Sequence, residues 1–251
     1  MSKTKGVLLV TGGSRGIGAA TARMAATQGW AVAVNYVEAK DRAETLVGEI
    51  EHAGGRAAAI KADLGDHGQI VPLFDAVEHR LGKLTGLVNS AGMVGKSSPL
   101  IDCNPDDVIR TIDLNLTGLI LATREGIRRM AKSRGGHGGA IVNISSAAAT
   151  LGSTGEFTWY AASKGGVDIF TEGVSREVAT DGVRINAVSP GMIETEIHAS
   201  AGDPGRVARF TPMIPMKRAG SPEEVAEAIL WLLSDAASYV TGANIRVAGG
   251  R

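Results

Sequence analysis

The chain has 251 residues, 44% of them hydrophobic, which suits one large buried α/β core better than two small domains. Its 26 lysines and arginines match 26 aspartates and glutamates, so the basic excess expected of a nucleic-acid partner is absent. The single cysteine, Cys103, excludes an internal disulfide, the five histidines show no metal spacing, and no apolar run approaches a secretory leader or a membrane span. A soluble, cytoplasmic protein with no metal, membrane or nucleic-acid partner is therefore expected.

Val7 to Val10 is a short continuous apolar run, the pattern of a buried parallel strand. It leads directly into Thr11-Gly12-Gly13-Ser14-Arg15-Gly16-Ile17-Gly18 and then into a helical stretch from Ala19 to Gln28, closed by Gly29. A strand, a glycine-rich turn and a helix in succession form a phosphate-binding arrangement. The glycines let the backbone approach a pyrophosphate, and the helix N-terminus offers free N–H groups and a partial positive charge. The spacing, Gly12, three residues, Gly16, one residue, Gly18, departs from G-x-G-x-x-G.

Ala31 to Val34 reads as a second strand, and Ala43, Leu46, Val47 and Ile50 mark one face of the helix after it. Gly54-Gly55 stops that helix. A third strand, Ala57 to Ala62, ends at Asp63-Leu64. Ile70, Leu73, Phe74, Val77 and Leu81 again follow a helical period, and Leu87-Val88 leads into Asn89-Ser90-Ala91-Gly92. One long helical region is expected over 106–131, with Asn115 inside it. A fifth strand, Ala140 to Ile144, delivers Ser145 and Ser146 to its carboxyl end, and Tyr160 and Lys164 follow on the next helix, one turn apart on one face. Arg184 to Val188 ends in Ser189-Pro190-Gly191. Residues 192–217 read as irregular, Pro222 opens a last helix, and Asn244 to Val247 closes the sheet.

Strands alternating with helices imply a parallel sheet covered on both faces, with ligands beyond the carboxyl ends of the strands. Gly12, Asn35, Asp63, Asn89, Ser146 and Pro190 each follow a predicted strand, so six polar or turn sequences converge on one edge.

These residues carry a resemblance. Thr11-Gly-x-x-x-Gly-x-Gly18, Asp63-Leu64, Asn89-x-Ala-Gly92, Asn115, the Ser and Tyr160-x-x-x-Lys164 set, and Pro190-Gly191 with Thr195 are similar to short-chain dehydrogenases/reductases along essentially the whole chain. Members resembling 3-oxoacyl-acyl-carrier-protein reductases and glucose dehydrogenases fit best. The resemblance implies one Rossmann-type domain over 1–251, a doubly wound seven-stranded parallel sheet, and an NAD(P)-dependent enzyme. Such an enzyme transfers hydride between nicotinamide C4 and a carbonyl or secondary alcohol.

By the same resemblance, Tyr160 exchanges a proton with the substrate oxygen. Lys164 lowers the tyrosine pKa and holds the nicotinamide ribose, Ser146 orients the substrate oxygen, and Asn115 holds a water linking Lys164 to solvent. Gly12, Ser14, Arg15, Gly16, Ile17, Gly18, Asn35 and Tyr36 belong to the cofactor site. Asp63 and Leu64 flank the adenine, Asn89, Ala91 and Gly92 line the cofactor, and Pro190, Gly191, Ile193 and Thr195 complete the carboxamide end. A homotetramer is implied, as is a substrate-covering segment at 192–217, where His198, Arg206, Arg209 and Met213 are candidates to touch a small-molecule carbonyl or alcohol. Both 3-oxoacyl thioester reduction and sugar or polyol oxidation remain open, as does a non-catalytic nucleotide sensor.

Physical chemistry supports the tyrosine independently. A free phenol titrates near pH 10, and an ammonium about 4 Å away, at an effective dielectric near 20, is worth roughly 4 kcal/mol, or about three pKa units, before desolvation. Two features depart from the family pattern. Ser146 to Tyr160 is one position longer than in many members, which leaves Ser145 as an alternative, and Ser90 stands where a second asparagine is commoner. NADP(H) is favoured and NAD(H) is possible: Arg15 can face a 2′-phosphate, Asn35 replaces the acidic residue that binds a ribose diol, and Glu38 is read as lying too far into the loop.

Overall fold

The computed structural model describes residues 5–251. Seven strands form one sheet: β1 (Gly6–Thr11), β2 (Trp30–Tyr36), β3 (Arg56–Lys61), β4 (Leu84–Asn89), β5 (Gly139–Ile144), β6 (Val183–Pro190) and β7 (Asn244–Val247). All pairings are parallel, in the order β3-β2-β1-β4-β5-β6-β7. The chain reverses its direction of winding between β1 and β4. A crevice at the carboxyl ends of those two strands is the natural ligand site of such a sheet.

Helices α1 (Gly16–Thr27), α2 (Lys40–His52), α3 (Ile70–Leu81), α4 (Pro105–Ile112) and α5 (Leu119–Met130) precede β5. Short α6 (Ala148–Leu151), long α7 (Thr158–Val178), short α8 (Ile197–Ser200) and α9 (Arg206–Phe210), and α10 (Pro222–Leu233) follow it. Side chains alternate across each strand, so β1 serves two cores. Val7 and Leu9 pack under Leu73, Phe74 and Val77 of α3, whereas Leu8 and Val10 pack with Ala22 of α1 and Ile229 of α10. With both faces covered, the central strands are largely apolar, which is why short continuous runs are legible in them.

Several boundaries differ from the sequence reading. β4 begins at Leu84 and β6 runs to Pro190, because paired strands continue through small and polar residues that interrupt an apolar run. Gly86 is one such residue; a Cβ there would stand 2.8 Å from Leu8 and 3.1 Å from the Trp30 ring. α1 starts at Gly16, three residues before the alanine-rich stretch. The long helix expected over 106–131 is broken into α4 and α5 by a π-helical segment, Asp113–Gly118, that contains Asn115. Residues 192–217 are not irregular: they hold α8, α9 and a 3-10 turn at Thr211–Met213.

Two expected cofactor residues make buried hydrogen bonds, and Asn35 also lines the cavity at the sheet's carboxyl edge. Asn35 lies within β2 and is 1% exposed. Its Oδ1 accepts from Gly12 N (3.1 Å), and its Nδ2 donates to the Ala62 carbonyl (2.9 Å). Asn89 closes β4, and its Nδ2 donates to Thr123 Oγ1 and Asn143 Oδ1, both at 2.9 Å. Asn143 continues to Thr171 Oγ1 at 2.9 Å, so Asn89 belongs to a buried polar ladder joining β4, β5, α5 and α7.

Candidate active site

A cavity of about 760 Å³ opens along the carboxyl edge of the sheet. Its floor at β1 is the glycine turn. Gly12 and Gly16 have φ of +61° and +51°, conformations open to glycine at little cost. A Cβ on Gly12 would lie 2.8 Å from Ala91 Cα, and one on Gly18 would lie 2.4 Å from the Gly12 carbonyl oxygen. The turn is held from both sides: Thr11 Oγ1 accepts from the backbone N–H groups of Ser90 (3.0 Å) and Ala91 (3.1 Å), and Asn35 grips Gly12. No side chain caps α1 and no acidic residue sits in its first turn, so its leading N–H groups are not already matched.

Ser14, Arg15, Gly16, Ile17, Tyr36, Leu64, Ala91, Gly92, Pro190, Gly191, Ile193 and Thr195 line the same cavity. Asp63 does not; its Oδ1 accepts from Gly65 N at 2.8 Å and shapes the turn that presents Leu64. Glu38, read as too deep in its loop, lines the cavity beside Val37. Arg15 is exposed and makes no ion pair among the described residues.

At the other end, β5 and α7 bring Ser146, Tyr160 and Lys164 to the cavity. The Ser146 hydroxyl favours the ionised Tyr160 phenol, pulling its pKa down, and Ser146 Oγ accepts from Ala148 N at 3.1 Å. Ser145 instead points away: it is 2% exposed and its Oγ donates to the Lys164 carbonyl at 3.1 Å. The longer spacing before Tyr160 is taken up by α6 and a tight turn in which Gly152, Ser153 and Gly155 all adopt positive φ.

Lys164 is 4% exposed, and its Nζ donates to the Ile144 carbonyl at 2.7 Å, 5.8 Å from the Tyr160 ring centroid. Burial pushes this ammonium down to about 8, with the Asp168 carboxylate opposing. Burial pushes the Tyr160 phenol above its ordinary value, while Ser146 and the Arg206 charge pull it back.

Asn115 is fully buried. Its Oδ1 accepts from Met93 N (2.9 Å) and its Nδ2 donates to the Met93 carbonyl (2.8 Å) and Ser163 Oγ (3.3 Å). It flanks Gly92, where a Cβ would meet Asn115 Oδ1 at 3.2 Å and Lys164 Nζ at 3.8 Å. π-helical turns recur where a helix must re-aim a side chain at a functional site.

Of the four candidates on 192–217, His198 and Arg206 line the cavity, whereas Arg209 and Met213 do not. The sequence reading missed Glu156, Phe157, Phe210 and Arg251 on the cavity wall. Phenylalanine is scarce, four in the chain, and two at one site was the available signal. Among the described residues no cluster of histidine, cysteine, aspartate or glutamate could hold a metal, and no helix is long and apolar enough to cross a membrane.

Comparison with known proteins agrees with this architecture. The family model described as enoyl-(acyl carrier protein) reductase matches residues 12–251. The uncharacterised oxidoreductase YgfF of Escherichia coli K12 is 50% identical over 98% of this chain and 99% of its own length. A 3-oxoacyl-[acyl-carrier-protein] reductase of Synechocystis is 38% identical, covering 98% of this chain and 97% of its own. The crystal structure of a blue fluorescent protein from a metagenomic library, in complex with NADPH, superposes with a TM-score of 0.89 at 34% identity, covering 98% of each chain. The chain belongs to the short-chain dehydrogenase/reductase family and is an oxidoreductase.

Proposed function

We propose that the protein moves hydride between NADP(H) and a carbonyl or secondary-alcohol substrate, with Tyr160 exchanging the proton. The observation that carries this reading is the meeting of Ser146, Tyr160 and Lys164 in the cavity that the glycine turn opens into. The turn fits a dinucleotide: Gly12 and Gly18 let turn, helix and β4 loop pack backbone to backbone, and the uncapped N-terminus of α1 leaves N–H groups for a pyrophosphate. Gly12, Ser14, Gly16, Ile17 and Gly18 would hold the phosphates, and Leu64, with Asp63 shaping its turn, the adenine. Ala91 and Gly92 would line the ring, Ile193 and Thr195 the carboxamide, and Lys164 the ribose.

When bound, the nicotinamide supplies the hydride donor or acceptor. The protein's side chains do the rest. Tyr160, raised by burial, holds its proton at neutral pH and can deliver it to a substrate oxygen. Ser146, whose Oγ already accepts a backbone N–H, can orient that oxygen. Lys164, at about 8, carries its charge at neutral pH, and Asn115 stands beside Gly92 where a water could link Lys164 to solvent. General acid–base catalysis of this kind contributes about 10²–10⁴-fold.

NADP(H) is preferred in this reading because Arg15 has no carboxylate partner among the described residues and Asn35 replaces the acidic residue that would bind the ribose diol; Glu38 at the rim allows some use of NAD(H). Comparing kcat/KM with the two cofactors tests it, and a clear preference for NAD overturns it. The activity itself is tested by screening 3-oxoacyl thioesters, sugars, polyols and small ketones at the nicotinamide absorbance band. Cofactor binding with no turnover anywhere would favour a nucleotide sensor instead. A cytoplasmic homotetramer belongs to the same proposal. Ile169, 72% exposed on α7, supports packing of that helix against a second copy, and a monomer in sedimentation would refute it.

A further inference from the structure

The substrate end of the cavity is rich in guanidinium. The Arg206 side chain is only 11% exposed, lines the cavity, and is clamped between Phe157 and Phe210, its Cζ 4.9 and 4.7 Å from the ring centroids. Glu156 Oε1 lies 2.5 Å from its Nη1, but outside hydrogen-bond geometry, so Nη1 is buried without a hydrogen-bond partner. The same carboxylate oxygen accepts from Arg209 Nη2 at 3.2 Å, and Arg209 pairs with Asp203 at 2.6 Å. Arg251 stacks on the Phe210 ring at 5.0 Å, also lines the cavity, and makes no ion pair among the described residues.

Arg206 and Arg209 therefore share the Glu156 carboxylate, and Arg209 also holds Asp203. A guanidinium carries five N–H donors, and buried donors are normally all matched. Aromatic faces stabilise the cation, while Glu156 lies in reach of Nη1 alone, which leaves the remaining edge of the fork for in-plane pairing. His198 adds no charge, since burial holds it below the ordinary histidine value. The positive field reaches the reaction centre, where Arg206 pulls on the Tyr160 phenol. A neutral sugar would meet these donors with weaker acceptors, whereas a carboxylate matches the planar fork.

We infer that the substrate carries a carboxylate beside its reacting carbonyl, a short oxo acid or the matching hydroxy acid, held by Arg206 with Arg251. This rests on the oxidoreductase reading above.

Three compounds sharing one ketone test it: 3-oxobutanoate, its methyl ester and its N-acetylcysteamine thioester. With NADPH, kcat/KM for the acid should exceed both neutral forms by about 30-fold or more, mainly through KM. Arg206→Met should bring the acid-to-ester ratio to within about threefold of one, and Arg206→Lys should leave an intermediate ratio. Arg251→Gln, which spares the Phe157–Phe210 clamp, should lower the ratio by about 5-fold. Calorimetry on the NADP⁺-loaded protein gives a readout without turnover: butanoate should bind and butanamide should not. Equal binding of the two, or turnover of ester or thioester as fast as the acid, overturns the inference. Butanoate binding with no carbonyl reduced would leave the carboxylate-binding site standing while sinking the proposed hydride transfer to a carbonyl.

Discussion

The two ends of the cavity are built from different materials. At β1 the walls are backbone: Gly12 and Gly18 leave no room for a side chain, and Thr11 and Asn35 brace the turn through hydrogen bonds to main-chain N–H groups. Over residues 192–217 the walls are side chains. Short helices α8 and α9 are joined to the body by Arg206 and Arg209 on Glu156 and by Arg42 on Glu196 at 2.5 Å. A site made of backbone accepts one shape and resists substitution. One made of arginines and phenylalanines can be rewritten without disturbing the sheet.

The largest effect should come where the two ends meet. Tyr160→Phe should lower turnover by about 10³-fold while cofactor binding persists; activity within tenfold of the parent would remove Tyr160 from its proposed role. Next, Gly18→Ala at the backbone end should destabilise the fold by about 1–3 kcal/mol and weaken cofactor binding, measured by denaturant midpoint and by titration. An unchanged midpoint would mean that the turn is softer than its geometry implies.

Lys164 should separate stability from function. Its folded pKa is depressed from 10.5 to about 8, so between those values the unfolded chain binds more protons than the folded one and stability rises with pH. Lys164→Met should abolish that rise, raise stability at pH 7 by about 1–3 kcal/mol, and eliminate turnover. A less stable variant would show that the ammonium is better solvated than its single hydrogen bond indicates. In the parent, the reduction rate should fall as pH climbs through about 8, when Lys164 loses its charge. At the small end, Arg42→Ala breaks an exposed ion pair and should cost under about 1 kcal/mol. A measurable change in KM for the cofactor would show that this pair also steadies the cover.

The sheet, its order of elements and the cluster at its carboxyl edge could be read from the sequence because apolar runs and glycines report directly on burial and close approach. Ser146 could be preferred over Ser145, and the structure turns Ser146, not Ser145, towards Tyr160. A position at a strand end does not say which way an amide faces: Asn35 lines the cavity while bracing Gly12 and the Ala62 carbonyl, and the Asn89 amide reaches core partners. The cover was opaque for a different reason. Helices of four and five residues, α8 and α9, are too short for any period to show, and contacts such as Phe157 with Arg206 join residues far apart in the chain.

The π-helical segment, Asp113–Gly118, has a consequence for insertions and deletions. It behaves as an extra residue wedged into one helix, offsetting α5 from the phase that α4 would impose. Deleting one residue there would still permit a continuous helix, but would rotate Leu119, Ala122 and Met130 out of the core or swing Asn115 away from Met93. Gly118 limits the alternatives further, since a Cβ there would lie 2.5 Å from the Leu64 carbonyl oxygen. Chain length in this stretch is therefore fixed by phase.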